Sequence, residues 1–211
     1  MINKIIPTVF SHNKAEFDEK FSKLINISKD IQIDFMDGKF VKAKSIAISQ
    51  IPNLKKYKNN FEAHLMVKKP LKYIKKLKSK GFNKVIFHYN TDDNVKTIAE
   101  IRKNGMKALL ALNPEVKVWD VCYLFQLVDG LLLMGVNPGK EHQKFISSVY
   151  LKIKEIRKID KNLPIQIDGG VNITNIRRLA KMGVSMFNTG SFVSNAKKPK
   201  KALSQLRKEI N

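Results

Sequence analysis

Short apolar runs alternate with longer amphipathic stretches along the whole chain. The amphipathic stretches have the period of helices with one buried face: in 70–81, apolar residues recur at 71, 74 and 77 before Gly81. The segments 91–105 and 172–183 predict helices in the same way. The apolar runs have the length of buried strands. There are eight of them, at 4–8, 31–34, 61–65, 84–88, 107–112, 130–136, 164–168 and 185–190.

The spacing of these runs predicts how the strands are arranged. Successive strand ends lie 21 to 33 residues apart, which is the length of one strand–turn–helix unit. Eight units fill the chain without a linker or low-complexity tract, so we expect one α/β domain over 1–211, a (β/α)₈ TIM barrel. The alternative is an open doubly wound sheet. It would need a glycine-rich phosphate loop after an early strand, and the sequence has none.

Composition narrows the class of protein. No apolar run approaches the roughly 20 residues of a membrane helix, and the first residues have too short an apolar run for a secretory signal. The one cysteine, Cys122, cannot form an internal disulfide. We therefore expect a soluble, cytoplasmic protein without a membrane partner.

The net charge of +22 has two interpretations, a nucleic-acid binder or a lysine-rich surface. Lysine outnumbers arginine, and the lysines are spread over almost every predicted helix. Nucleic-acid modules usually gather arginine and aromatic residues on one face. We therefore expect no nucleic-acid partner, although a positive field would attract a phosphorylated substrate.

Polar side chains stand where the predicted strands end. They are Asp34, His64, His88, Asn113, Asn137 and Asp168. In a (β/α)₈ barrel these ends form one rim, where the chemistry takes place. Burying a polar or charged group costs free energy unless it is compensated, so six polar residues on one rim, four of them ionisable, favour a functional site.

The two aspartates come from strands two and seven, on opposite sides of the barrel mouth. Paired carboxylates across a substrate suit proton removal on one face and proton delivery on the other. His64, beside Asp34, could complete a metal site that polarises a carbonyl. The methionines Met36, Met66 and Met134 lie at the same rim, where thioethers would exclude water from an enediolate.

Glycine turns follow the last two predicted strands, where barrels often bind phosphate. "DGGV" (168–171) offers the backbone N–H groups of Gly169 and Gly170, and "TGSF" (189–192) offers those of Gly190 and Ser191. We expect these turns to hold an anionic group.

Six motifs together resemble one family. They are "DFMDGKFV" (34–41), "HLMV" (64–67), "LNPE" (112–115), "MGVNPG" (134–139), "IDGGV" (167–171) and "TGSFV" (189–193). In this order and spacing they resemble ribulose-phosphate 3-epimerase, a barrel enzyme of the pentose phosphate pathway that interconverts ribulose 5-phosphate and xylulose 5-phosphate. The resemblance covers nearly the whole chain.

The resemblance implies roles for individual residues. Asp34 and Asp168 would be the acid/base pair, and with His64 they would ligate one divalent ion, Zn, Fe, Mn, Co or Mg. The implied substrate contacts are Thr8, where the family usually has a serine, and His64, Met36, Met66, Met134, Gly169, Gly170, Gly190 and Ser191. The implied partner is a small sugar phosphate, and a homo-oligomer is left open.

Two departures from the family pattern matter. The family has a histidine ligand two residues before its first aspartate, where this chain has Gln32. A glutamine can offer its carbonyl oxygen, a ligand that suits Mg²⁺ or Mn²⁺ better than Zn²⁺. The second departure is "VNPGKEHQKF" (136–145), because the family reads V-N-P-G-F-G-G-Q there. Lys140 or His142 could attract a phosphate, and Glu141 would oppose one.

These departures leave two alternatives to the pentulose epimerase. The altered loop is compatible with an epimerase of another ketose phosphate, such as a hexulose 6-phosphate. Gln32 and the loop together are compatible with a barrel that has lost catalysis and has a binding role.

Overall fold

The computed structural model describes residues 3–91, 93–140 and 143–210. The described residues form eight parallel strands in one closed barrel, in sequence order, with β8 paired to β1. The strands are β1 (Lys4–Val9), β2 (Asp30–Met36), β3 (Asn60–Met66), β4 (Lys84–His88), β5 (Lys107–Leu112), β6 (Gly130–Met134), β7 (Ile165–Asp168) and β8 (Met186–Thr189). The predicted (β/α)₈ barrel is confirmed.

Helices cover the outside of the barrel. They are α1 (Lys14–Ile25), α2 (Ile74–Lys80), α3 (Asn94–Lys103), α4 (Val149–Ile159), α5 (Ile176–Lys181), α6 (Ser191–Ser194) and α7 (Pro199–Ile210). The helices predicted over 70–81, 91–105 and 172–183 are present, but each α-helix begins three or four residues later than predicted. Gly81 ends α2 with φ of +102°, and its N–H bonds to the carbonyl oxygens of Leu77 and Lys78.

Two connections depart from the strand–helix repeat. After β2 the described chain forms only the short 3₁₀ helices Ile48–Gln50 and Leu54–Lys56, and after β5 only Val118–Asp120 and Cys122–Leu127. Pro52 interrupts the first connection because it cannot donate the backbone hydrogen bond that a continuous helix needs. The second is rich in buried β-branched valines, which lower helix propensity.

Alternation along the strands divides the core into two layers. On β2, Ile31, Ile33 and Phe35 face outwards, where they are buried under the helices, and Gln32 and Asp34 face the barrel interior. The same period on the other strands fills the barrel with the side chains that build the site.

The barrel interior has two chemically different halves. The apolar half, from β4, β5 and β6, contains Ile86, Leu109, Ala111, Leu132 and Met134. The polar half, from β2, β3, β7 and β8, contains Gln32, Asp34, Glu62, His64, Gln166, Asp168 and Asn188. Among the described helices, none combines the length and apolar character needed to cross a bilayer.

Candidate active site

The predicted acid–histidine–acid group is assembled at the carboxyl ends of β2, β3 and β7. The register of β2 against β3 places Asp34 beside His64. His64 Nδ1 lies 3.3 Å from Asp34 Oδ1 and 3.3 Å from Asp168 Oδ2. One ligand atom from each residue lies within 4.8 Å of the other two. The carboxylates from β2 and β7 therefore converge on a single imidazole.

Burial and mutual contact shift the pKa values of this group. Burial and, to a lesser degree, the charge on Asp168 raise the pKa of Asp34 to about 6, although His64 and Gln32 oppose the shift. Burial disfavours the charged form of His64, but contacts with the two carboxylates outweigh it and raise the pKa of the imidazole to about 9. The site therefore favours a positive charge between the aspartates.

His88 lies behind His64, with its Nε2 atom 2.9 Å from His64 Nε2. Burial, followed by the charge on His64, lowers the pKa of His88 well below its ordinary value. A neutral His88 can accept the hydrogen bond that His64 Nε2–H donates. This contact holds the His64 ring with Nδ1 towards the aspartates.

Gln32 occupies the space between the two aspartates. Its Nε2 atom donates hydrogen bonds to Asp34 Oδ1 at 2.9 Å and to Asp168 Oδ2 at 2.7 Å. Its Oε1 atom accepts one from Asn188 Nδ2 at 2.7 Å. The sequence left open whether the carbonyl oxygen of Gln32 serves as a weak metal ligand or does not bind the ion at all. Here that oxygen is turned away, because two carboxylates attract N–H groups and repel a carbonyl oxygen.

The donor set fits a divalent metal ion. Asp34 and Asp168 supply carboxylate oxygens and His64 supplies an imidazole nitrogen, the atoms that divalent transition metals take from proteins. The contact of His64 with His88 is of the kind that orients metal-binding histidines. The three residues are suited to the ion, whereas Gln32 presents a donor and no ligand atom.

The predicted methionines converge on the same cavity. Met36, Met66 and Met134 all line it, together with Thr8. Met36 and Met66 pack against Phe10, which sequence reasoning missed. Phe10 could have been found, since it lies two residues after Thr8 and so continues the same face of the chain. The wall above the acids is therefore apolar.

The two glycine turns also line the cavity, with Gly169, Gly170, Gly190 and Ser191. Gly169 and Gly170 have φ of +97° and +69°; a side chain on the first would collide with Val136, and one on the second would lie 2.9 Å from backbone of Phe145. None of the four backbone N–H groups donates a hydrogen bond to another described residue. These groups are available to an anion.

The loop after β6 closes one side of the cavity. Asn137 and Lys140 line it, and Gln143 Nε2 donates to the carbonyl oxygens of both at 2.6 and 2.9 Å. The predicted effects of Glu141 and His142 lie outside the described residues. Asn113, the remaining polar residue at a strand end, is not among the residues that line the cavity.

Asn188 is the second residue that sequence reasoning missed. It is buried on β8, lines the cavity and bonds to Gln32. Its signal in the sequence was a lone amide two residues before Gly190, in the middle of a short apolar run.

Comparisons with known proteins agree with this geometry. A model of the Ribulose-phosphate 3 epimerase family matches residues 4–194. The chain is 32% identical over 217 residues to ribulose-phosphate 3-epimerase of Bacillus subtilis (strain 168), covering 97% of this chain and 98% of that protein. It is 30% identical over 214 residues to the enzyme of the same name from Escherichia coli (strain K12), covering 98% and 95%.

A solved structure shares the fold. The 3-hexulose-6-phosphate synthase from Salmonella typhimurium superposes with a TM-score of 0.73 and 16% identity, over 98% of each chain.

Proposed function

Because the chain belongs to the ribulose-phosphate 3 epimerase family, we propose that it interconverts ribulose 5-phosphate and xylulose 5-phosphate in the pentose phosphate pathway. The observation that carries the proposal is the convergence of Asp34 and Asp168 on His64 inside one largely buried cavity. The proposal retains two expectations from the sequence, one barrel domain over 1–211 and action in the cytoplasm.

The proposed reaction inverts the carbon beside the ketone. One aspartate, as carboxylate, takes the proton from C3, and the electron pair of the broken C–H bond forms an enediolate. The other, as carboxylic acid, returns a proton to the opposite face of C3. In the metal-free site, burial raises the pKa of Asp34 to about 6, so this carboxyl group can accept or donate a proton near neutrality.

A divalent ion would be held by Asp34, His64 and Asp168, and it would supply positive charge to polarise the ketone and stabilise the enediolate. The chain's other residues orient the substrate and exclude water. Met36, Met66 and Met134 would cover the enediolate. The phosphate would bind at the N–H groups of the two glycine turns, which fixes the distance from phosphate to C3.

The test is an assay of metal-stripped protein with ribulose 5-phosphate, adding Mg²⁺, Mn²⁺, Zn²⁺, Fe²⁺ or Co²⁺ one at a time. Formation of xylulose 5-phosphate, restored by at least one ion, is the expected result. Absence of product with every ion would contradict the proposal.

An epimerase of a different ketose phosphate remains the second candidate, because Lys140 lines the cavity in the loop that departs from the family pattern. The same assay with a hexulose 6-phosphate decides between them, since specificity is the ratio of the two kcat/KM values.

A further inference from the structure

A continuous chain of buried side-chain hydrogen bonds crosses the polar half of the barrel, and we name it the relay. It begins at the ion pair of Lys84 Nζ with Glu62 Oε2, 2.7 Å apart. Gln166 Nε2 donates both to Glu62 Oε1 and to Asn188 Oδ1, the latter at 2.6 Å. Asn188 Nδ2 then donates to Gln32 Oε1 at 2.7 Å. The relay ends at the active site.

The side chains of the relay are buried, so water cannot replace a hydrogen bond that is lost within it. Gln32 and Gln166 are fully buried, and Glu62 and Asn188 are at most 3% exposed. A buried amide that turned to face the wrong partner would leave a donor or an acceptor without compensation from water. Gln32 and Asn188 have partners at both ends of their amides, whereas Gln166 Oε1 has no partner among the described residues, so the orientation of Gln166 is determined by its N–H₂ contacts.

The ion pair favours the same direction of the relay as the two aspartates do. Glu62, paired with Lys84, is a carboxylate and can only accept, so Gln166 must turn its N–H₂ towards it. Asn188 must then present its oxygen to Gln166 and its N–H₂ to Gln32. This leaves the oxygen of Gln32 occupied and its N–H₂ directed at the two aspartates.

We propose that Glu62, Gln166 and Asn188 are positioning residues that hold Gln32 as a hydrogen-bond donor to both aspartates of the site. The proposal deepens the proposed function and rests on it for the role of those aspartates. Its consequence is that Gln32 competes with a divalent ion for the same carboxylate oxygens. The ion then has three ligands from the chain, and its affinity is held down by the relay.

This competition predicts a change in metal affinity opposite to the one that loss of an ordinary supporting residue causes. Removing a residue that merely supports a metal site weakens binding, commonly by about 10- to 100-fold. Removing the Asn188 donor instead frees Gln32 to turn its carbonyl oxygen towards the ion. We therefore expect Asn188→Leu to tighten metal binding.

The first measurement is the exchange of the Gln32 side-chain N–H protons with water, by NMR of ¹⁵N-labelled, metal-free protein. Gln32→Met identifies the resonance by removing it. We expect slow exchange in the unmodified protein, and faster exchange by about tenfold or more in Asn188→Leu, because the amide is released. Fast exchange in the unmodified protein, or unchanged exchange in Asn188→Leu, would overturn the proposal.

The second measurement is the dissociation constant for Mn²⁺, an ion that a glutamine carbonyl oxygen suits, by competition with a chelator. We expect Asn188→Leu to lower it by about tenfold. The matched control is Asn188→Leu combined with Gln32→Met, which should have the same dissociation constant as Gln32→Met alone. Weaker or unchanged binding in Asn188→Leu, or an equal gain in the Gln32→Met background, would contradict the relay.

Glu62→Gln serves as the second variant, since it keeps the size of the side chain if Asn188→Leu fails to fold. It removes the carboxylate that orients Gln166. It should therefore speed the exchange of the Gln32 N–H protons and tighten metal binding, each by less than Asn188→Leu does. No shift in either measurement would overturn the proposal. Neither measurement involves the sugar phosphate, so failure of the relay is distinguishable from failure of the epimerase assay.

Discussion

The two halves of the barrel interior are built from the same strand geometry but are held together by different forces. In the apolar half, Leu109, Leu132 and Met134 pack by shape and volume. In the polar half, Gln32 and Asn188 are fixed by directional hydrogen bonds. The difference shows that one ring of strands can separate stability from chemistry, because packing tolerates similar shapes whereas a relay tolerates only matched donors and acceptors.

This division predicts that changes in the polar half affect chemistry and that changes in the apolar half affect stability. The strongest test is Asp34→Asn, with Asp168→Asn as its counterpart. Each should lower kcat by about 10³- to 10⁴-fold, because an amide cannot transfer the proton. Steady-state kinetics with ribulose 5-phosphate would measure the loss.

The control for the aspartate variants is their thermal unfolding. Neither should unfold the barrel, since asparagine keeps the size and shape of the aspartate side chain. Near-normal turnover in either variant would rule out the two-aspartate mechanism.

The converse test is Leu132→Ala in the apolar half. Leu132 is fully buried, and its truncation should lower the free energy of unfolding by about 3 kcal/mol. Denaturant titration measures this, and Leu132→Met is the matched control with a cost below about 1.5 kcal/mol. The kcat of the folded protein should change only a few-fold. A large loss of kcat without loss of stability would break the division between the halves.

The pH dependence of stability tests the charge balance of the polar half without a metal. Asp34 and His64 both have raised pKa values, to about 6 and about 9, so the folded state binds these protons more tightly than the unfolded chain. Their stabilisation is complete at low pH, and it is lost as pH rises from 3.8 to about 6 for Asp34 and from 6.5 to about 9 for His64.

Urea titrations of metal-free protein between pH 6.5 and 9 should therefore give a falling free energy of unfolding, by at most about 1.4 kcal/mol per pH unit for one proton. His64→Gln should flatten that slope. A slope unchanged by His64→Gln would show that His64 does not carry the raised pKa.

The substitution with the smallest expected effect on activity is at the rim of the cavity, outside both halves of the barrel interior. Lys140 lines the cavity and is exposed, so Lys140→Gln should raise KM about threefold to tenfold with little change in kcat, through weaker attraction of the phosphate. The matched control is Lys42→Gln, an exposed lysine that is not among the lining residues. Equal effects of the two substitutions would assign the change to net charge instead of to the position of Lys140.

The sequence by itself determined the barrel and the rim. Apolar runs at regular spacing predicted the eight strands, and polar residues at their ends predicted that Asp34, His64 and Asp168 lie on one rim. These features are local, because strand period and strand order place side chains without reference to distant contacts. The repeat also implied an α-helix after β2 and after β5. The described chain forms only 3₁₀ helices there, because proline and valines lower helix propensity.

Only the tertiary structure decided which way the Gln32 amide faces and that Asn188 belongs to the site. Gln32 and Asn188 are 156 residues apart, and Gln166 and Glu62 are 104 apart. An amide has a donor end and an acceptor end of nearly the same shape, so its sequence position cannot say which end meets a partner. That choice is made at both ends of the relay, by the two aspartates and by the ion pair of Glu62 with Lys84, through buried hydrogen bonds that exist only once the barrel has closed.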